Sequence, residues 1–99
     1  MKAELILIDG TKKKVAINTF DEARQLVCNF GYNAPLEILY LQNGKALLID
    51  EEGKLKNLEM NPKATKLAHE EEAIYPSDFV CGDVLLIEDM DEFDGLPFE

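Results

Sequence analysis

Two glycine turns, each set between runs of strand-forming residues, constrain the fold of this chain more than any other feature. The first run, KAELILI (2–8), reaches Asp9-Gly10 and is followed by TKKKVAIN (11–18). The second run, LEILYLQ (36–42), reaches Asn43-Gly44 and is followed by KALLID (45–50). Asp-Gly and Asn-Gly are pairs preferred in two-residue hairpin loops. The sequence therefore predicts two antiparallel β-hairpins.

Two helix signals follow the hairpins. Thr19 and Glu22 have the spacing of a capping box. The residues after them form an apolar stripe at helical spacing, namely Phe20, Ala23, Leu26, Val27 and Phe30. Gly31 is the expected C-terminal cap of this helix. Asn61-Pro62 is typical of the N-cap and first turn of a second helix.

The segment DFVCGDVLLIED (78–89) predicts a last strand, in which Gly82 indicates a bulge or the close approach of another backbone. The predicted order is strand, strand, helix, strand, strand, helix, strand. Because hairpins dominate the connections, we expect an α+β fold with a mostly antiparallel sheet of about five strands and two helices.

Negative charge is concentrated at the end of the chain. The 99 residues are enough for one domain and carry a net charge of −10. Residues 1–87 hold 14 acids and 10 bases, which gives −4, and residues 88–99 hold six acids and no base, which gives −6. We expect a single α+β domain over 1–88 and an acidic, flexible tail over 89–99. The overall negative field opposes direct binding of nucleic acid.

Targeting signals are not apparent in the sequence. No run of eighteen apolar residues is present, so we expect no membrane span. The start, MKAELILIDGTKKK, has too short an apolar stretch for an export signal and contains Glu4. We therefore expect a cytoplasmic protein. Cys28 and Cys81 are expected to be free thiols there, and Cys28 to be exposed because it lies off the apolar stripe.

Familiar catalytic motifs are absent. The sequence has no glycine-rich phosphate loop, no C-x-x-C and no H-E-x-x-H. Ser77 lacks a glycine elbow, and His69 is the only histidine, which makes a poor metal site. We therefore expect neither a cofactor nor a metal, and the sequence offers no signal for an enzyme.

The middle hairpin and second helix resemble a known family. LQNGKALLIDEEGKLKNLEMNPKAT, followed later by GDVLLIE, is similar to small domains from phages and mobile elements of bacteria, the family named domain of unknown function 3846. The similarity covers about residues 36–87. It implies a bacterial or phage setting but brings no activity and no catalytic residue. Its notable polar positions are Asn57, Asn61 and Thr65. A structural role accounts for two of them, since Asn61 is expected to cap the second helix and Asn57 to order the turn before it.

The end of the chain resembles a second family. MDEFDGLPF is similar to the acidic tip of bacterial single-stranded-DNA-binding proteins, whose Phe enters a partner's pocket and whose terminal carboxylate meets a basic residue. Glu99 departs from this pattern, since it moves the carboxylate one residue beyond the Phe. The resemblance implies the following partner-binding residues: Asp91, Glu92, Asp94, Leu96, Pro97 and Phe98.

Three functions follow as hypotheses. The leading one is a non-enzymatic protein-interaction or regulatory domain, whose tail binds a protein partner with a basic-rimmed apolar pocket. A tail that only solubilises the protein is the competing interpretation. The alternative function is an acidic decoy that imitates DNA, which requires carboxylates spread over the folded surface. An enzyme of unrecognised type is third, because folds of this kind host many activities.

Overall fold

A computed structural model describes residues 1–28 and 35–99, which form five strands and three helices. The strands are β1 (Lys2–Ile6), β2 (Lys12–Ala16), β3 (Leu36–Tyr40), β4 (Ala46–Asp50) and β5 (Val84–Ile87). The helices are α1 (Phe20–Val27), α2 (Pro62–Glu70) and α3 (Met90–Asp94). The predicted α+β class is confirmed, as are the five-stranded antiparallel sheet and the two longer helices. The short helix α3 is an addition to the predicted order.

The last strand joins the two hairpins into one sheet. The strand order is β2-β1-β5-β4-β3, and all neighbouring strands run antiparallel. Leu85 of β5 is paired with Leu5 of β1 on one side and with Leu48 of β4 on the other. The sheet therefore has β2 and β3 at its edges, and β2 exposes its three lysines there. Lysines on an edge strand discourage pairing with other strands.

The turn between β3 and β4 has the geometry that its residues predict. Asn43 has φ 61° and Gly44 has φ 74°. Two consecutive residues with positive φ are required by a type I′ turn, which matches the twist of a hairpin. The loop between β1 and β2, residues 7–11, is as long as this loop, residues 41–45, but in it only Gly10 has a positive φ, 90°. Both glycine turns thus connect antiparallel neighbours, as predicted.

Helices cover both faces of the sheet. Alternate residues of β4 and β5 point to opposite sides, so each face has its own apolar cluster. Helices α1 and α3 contribute to the first cluster, whose strand members include Ala46, Leu48, Leu85 and Ile87. Helix α2 contributes to the second cluster, whose strand members include Ile6, Leu39, Leu47 and Val84.

Helix α1 ends earlier than the apolar stripe indicated. Its last residue is Val27, and Cys28 has left the helical conformation, with φ −108° and ψ 89°. This turn directs Cys28 into the core, where it is buried, so the expectation of an exposed thiol is wrong. Phe30 and Gly31, which the sequence placed at the end of the helix, lie outside the described residues.

The last strand is shorter than predicted. It spans Val84–Ile87, and the preceding segment contributes only an isolated bridge between Cys81 and Met60. Gly82 has φ 85°, and a Cβ atom at this position would lie 2.9 Å from Leu58 Cδ1. The predicted close approach is present, but the side chain of Leu58 makes it. Glycine at this position therefore allows both the backbone conformation and the contact.

Candidate functional site

Residues 89–99, called the acidic segment below, pack against the body of the protein. The Asp89 side chain accepts hydrogen bonds from the Asp91 and Glu92 N–H groups, at 3.0 and 3.2 Å, and so caps α3. Met90 and Phe93 are buried in the first apolar cluster. The structure therefore differs from the expectation of a flexible tail. The sequence signal was the three-residue spacing of Met90 and Phe93 behind a capping Asp, and the acidic composition obscured it.

The end of the acidic segment contacts the start of α1. The Phe20 N–H donates to the Pro97 carbonyl, and the Asp21 N–H donates to the Phe98 carbonyl, each at 2.9 Å. Such N–H groups have no partner within their own helix. The Phe98 ring stacks on the Phe20 ring, with 5.3 Å between the centroids. The segment thus caps the N-terminus of α1 with its backbone.

The six predicted partner-binding residues have different surroundings. Asp91, Glu92, Asp94 and Pro97 are exposed, whereas Leu96 is half-buried against the first apolar cluster. Phe98 is 64% exposed in spite of its contact with Phe20. The three acidic residues, Pro97 and Phe98 are thus exposed on one short segment, whereas Leu96 is partly buried against the core.

Asn61 is a structural residue. Its side chain is fully buried, and its Oδ1 accepts from the Ala64 N–H at 3.0 Å, which caps α2. Its Nδ2 donates to the carbonyls of Ile6 and Gly82, at 2.9 and 3.0 Å. One side chain therefore joins α2 to β1 and to the segment before β5. No hydrogen-bonding group of this amide is left for a ligand.

Thr65 also joins α2 to the segment before β5. Its Oγ1 accepts from the Val80 N–H at 2.9 Å and donates to the Val80 carbonyl at 3.3 Å. The Asn61 N–H also donates to the Val80 carbonyl, at 2.7 Å. Asn57 is exposed and has φ 56°, a conformation that Asn tolerates better than most residues. The three polar positions of the resemblance therefore have structural roles.

A cleft of about 450 Å³ lies beside β3. Its floor is apolar and consists of Leu39, Ile49, Ile74 and Val80. Five acidic residues and one lysine also line it, namely Glu37, Asp50, Glu51, Glu72, Asp78 and Lys54. Two aromatic side chains are exposed at the cleft, Tyr75 at 80% and Phe79 at 42%. The cleft is therefore an acidic groove with an apolar floor, which is called the acidic cleft below.

Two of its carboxylates are already paired. Asp78 forms an ion pair with Lys54, whose Nζ lies 4.5 Å from the centroid of the Phe79 ring. The hydrogen bond from Lys54, together with the Phe79 N–H, lowers the pKa of Asp78. Asp50 is buried and accepts from Lys56 Nζ at 2.7 Å, and this hydrogen bond raises the pKa of Lys56.

Sequence reasoning did not identify this cleft. Its residues come from β3, from β4 and the turn after it, and from the segment after α2. Glu37, Glu51, Glu72 and Tyr75 are far apart in the sequence, and they come together only when the edge of the sheet meets that segment. Only the acidity of DEEG (50–53) and HEEEA (69–73) was visible as a local signal.

The two cysteines and the one histidine have the following surroundings. Burial raises the pKa of the Cys28 thiol to about 11, and it also raises the pKa of the Cys81 thiol. His69 is exposed, and its Nε2 lies 2.8 Å from the Asp78 carbonyl oxygen. Within residues 1–28 and 35–99, no three His, Cys, Asp or Glu side chains are grouped so as to hold a metal ion. Among the helices of the same residues, none has the length and apolarity needed to cross a membrane.

Comparison of the chain with protein-family models, with curated proteins and with solved structures finds no match. The resemblance to domain of unknown function 3846 and to the tip of single-stranded-DNA-binding proteins stays a prediction.

Proposed function

We propose that this chain is a non-enzymatic protein-interaction or regulatory domain, and that the acidic segment binds a protein with a basic-rimmed apolar pocket. The observation that carries the proposal is the state of Phe98. Its backbone is held against α1, yet its ring is 64% exposed. The ring belongs to a stretch, residues 88–99, that has six acids and no base in its sequence. An exposed aromatic ring among solubilising charges suits a surface that is covered only in a complex.

The energy needed to release Phe98 is small beside the energy of binding. Phe98 loses its stacking on Phe20 when it enters a pocket, and an aromatic pair of this kind is worth about 0.5–1.5 kcal/mol. A micromolar complex corresponds to about −8 kcal/mol. The exposed Asp91, Glu92 and Asp94 add attraction to a basic rim, which increases the rate of association and weakens as salt rises.

The setting proposed for this function follows from the sequence. The resemblance of residues 36–87 supports a phage or a mobile element of bacteria and, with it, a cytoplasmic setting. We rank the DNA-mimicking decoy lower. Five ion pairs join body bases to carboxylates of the described residues, so positive charge is interspersed among the acids.

Fluorescence anisotropy tests the proposal. A labelled peptide of residues 88–99 and the whole protein are each titrated with a protein that binds the tip of single-stranded-DNA-binding proteins. We expect micromolar binding that is displaced by the unlabelled tip peptide and weakened by salt. Phe98→Ala should abolish binding, whereas Tyr40→Ala, a change of an exposed aromatic residue on β3, should not. Equal binding by Phe98→Ala and the parent at every salt concentration would make the segment a solubilising end.

A further inference from the structure

The acidic cleft lies next to an open edge of the sheet. Strand β3 pairs with β4 on one side, and no strand within residues 1–28 and 35–99 pairs with its other side. Glu37 and Leu39 of β3 also line the cleft. An edge strand offers backbone N–H and C=O groups that an added extended peptide can pair with. A peptide along β3 would therefore place alternate side chains over the cleft.

The cleft already holds one cationic side chain of the protein itself. The Lys54 ammonium is held by the Asp78 carboxylate and by the face of the Phe79 ring, 4.5 Å from its centroid. A carboxylate combined with an aromatic face is a favourable site for an alkylammonium or guanidinium group. This arrangement identifies cations on flexible side chains as the matching chemistry.

Further carboxylate residues and a further aromatic ring line the same cleft. Glu37, Glu51 and Glu72 are exposed, and none of them has an ion-pair partner among the residues that the structure describes. The Tyr75 side chain, 80% exposed, lines the same cleft. The three carboxylates and the Tyr75 ring are groups of the same kinds as those that hold Lys54. Within the described residues, no lysine or arginine forms an ion pair with these three carboxylates.

We propose that the acidic cleft binds an extended cationic peptide segment of a partner protein. A Lys or Arg side chain of the peptide is held by Tyr75 and by the carboxylates of Glu37, Glu51 and Glu72. Apolar side chains of the same peptide contact the floor of the cleft, and its backbone pairs with β3. The cleft volume of about 450 Å³ is in the range of pockets that enclose small ligands, which suits a few side chains. This surface is separate from the acidic segment.

The probe for this proposal is the acetylated and amidated hexapeptide Lys-Thr-Leu-Thr-Lys-Thr, which presents lysine and leucine on one face of an extended strand. It is titrated into the whole protein. We expect saturable binding that weakens with salt, and no binding of the counterpart with glutamate in place of lysine. In an NMR titration, the amide signal of Gly53, which lines the cleft, should shift, whereas that of Gly95 should not.

Two matched pairs of variants locate the binding. Glu37→Gln, Glu51→Gln and Glu72→Gln together should raise the Kd of the probe at least ~10-fold. The control removes three exposed carboxylates elsewhere and should raise the Kd less than ~3-fold; its changes are Glu59→Gln, Glu70→Gln and Asp94→Asn. Tyr75→Ala should raise the Kd ~5-fold, and Phe98→Ala, which removes an aromatic ring that is 64% exposed outside the cleft, should leave it unchanged.

Three results would overturn this inference. They are a lack of saturable binding to the parent, an equal loss of affinity in both triple variants, and an equal response to Tyr75→Ala and Phe98→Ala. Thermal melting of each variant verifies that it is folded. Phe98→Ala should bind the probe as the parent does, so this result is independent of the outcome for the acidic segment.

Discussion

The ring of Phe98 stacks on the ring of Phe20, with 5.3 Å between their centroids and 19° between their planes. Phe20 also contacts the buried Phe93, at a centroid distance of 5.8 Å. Three aromatic rings thus join the acidic segment to the first turn of α1. The segment that carries half of the net negative charge is therefore also a structural part of the domain.

Deletion of residues 89–99 should destabilise the protein. It removes Met90 and Phe93 from the first apolar cluster, and burial of each such side chain stabilises by about 1.5–3 kcal/mol. We expect a loss of about 3 kcal/mol or more and a fall in Tm of at least ~10 °C, measured by circular dichroism. Deletion of only 97–99 keeps the two buried side chains and should cost about 1 kcal/mol. If the longer deletion melts within ~2 °C of the parent, the body is complete at residue 88.

Asn61→Ala should be among the most destabilising single changes. It removes the acceptor for the Ala64 N–H and the donors to the Ile6 and Gly82 carbonyls, all of them buried. Each unsatisfied buried group costs about 1–3 kcal/mol, so we expect at least ~3 kcal/mol, measured by urea unfolding. The control is Asn57→Gly at an exposed residue with φ 56°, which should be neutral or slightly stabilising. Similar losses in the two variants would contradict the structural role of Asn61.

Local signals were sufficient to predict most of the fold. Asn43-Gly44 determines its hairpin through backbone conformation alone, and Thr19 and Asn61 cap their helices through side chains a few residues away. The acidic cleft could not be predicted in this way. Glu37 and Tyr75 are far apart in the sequence and line the same cleft only because β3 packs near the segment after α2. Helix α3 was missed for another reason, since Met90 and Phe93 are only two apolar residues within an acidic run.

The Lys54–Asp78 ion pair should stabilise the protein near neutral pH and not in acid. The pair lowers the pKa of Asp78 below its ordinary value of 3.8, so its contribution is present above that pH and is lost as the pH falls through the folded-state pKa. Lys54→Met should therefore lower the free energy of unfolding at pH 7, by a small amount because the pair is partly exposed. The difference from the parent should shrink at about pH 2, as measured by urea unfolding. A difference that is unchanged by pH would assign the effect to packing on Phe79.

Both cysteines should resist alkylation in the folded protein. The pKa of Cys28 is raised to about 11, so only about one thiol in a thousand is ionised at about pH 8. We expect slow labelling by iodoacetamide, followed by mass spectrometry, and rapid labelling of the same protein in guanidinium chloride. Rapid labelling of the native protein at either cysteine would show that the buried positions open readily.

Glu72→Gly should stabilise the protein while it weakens the acidic cleft. Glu72 follows the end of α2 with φ 56°, and the Ala73 N–H donates to the Ala68 carbonyl at 2.8 Å, as at a helix end that favours glycine. A side chain in this conformation costs about 1 kcal/mol, so glycine should raise the free energy of unfolding by up to that amount. Glu70→Gly is the matched control. Glu70 lies within α2, where glycine costs about 1 kcal/mol, so the same substitution should lower stability.

The same two variants also test the cleft. Glu72→Gly removes a carboxylate that lines it and should raise the Kd of the lysine-leucine probe ~2- to 3-fold, whereas Glu70→Gly should leave the Kd unchanged. Higher stability with weaker binding would mean that Glu72 occupies a position better suited to glycine because its charge serves the cleft. If Glu72→Gly is less stable than the parent, the left-handed conformation at this helix end is wrong, and if it binds the probe equally well, Glu72 does not contact the peptide.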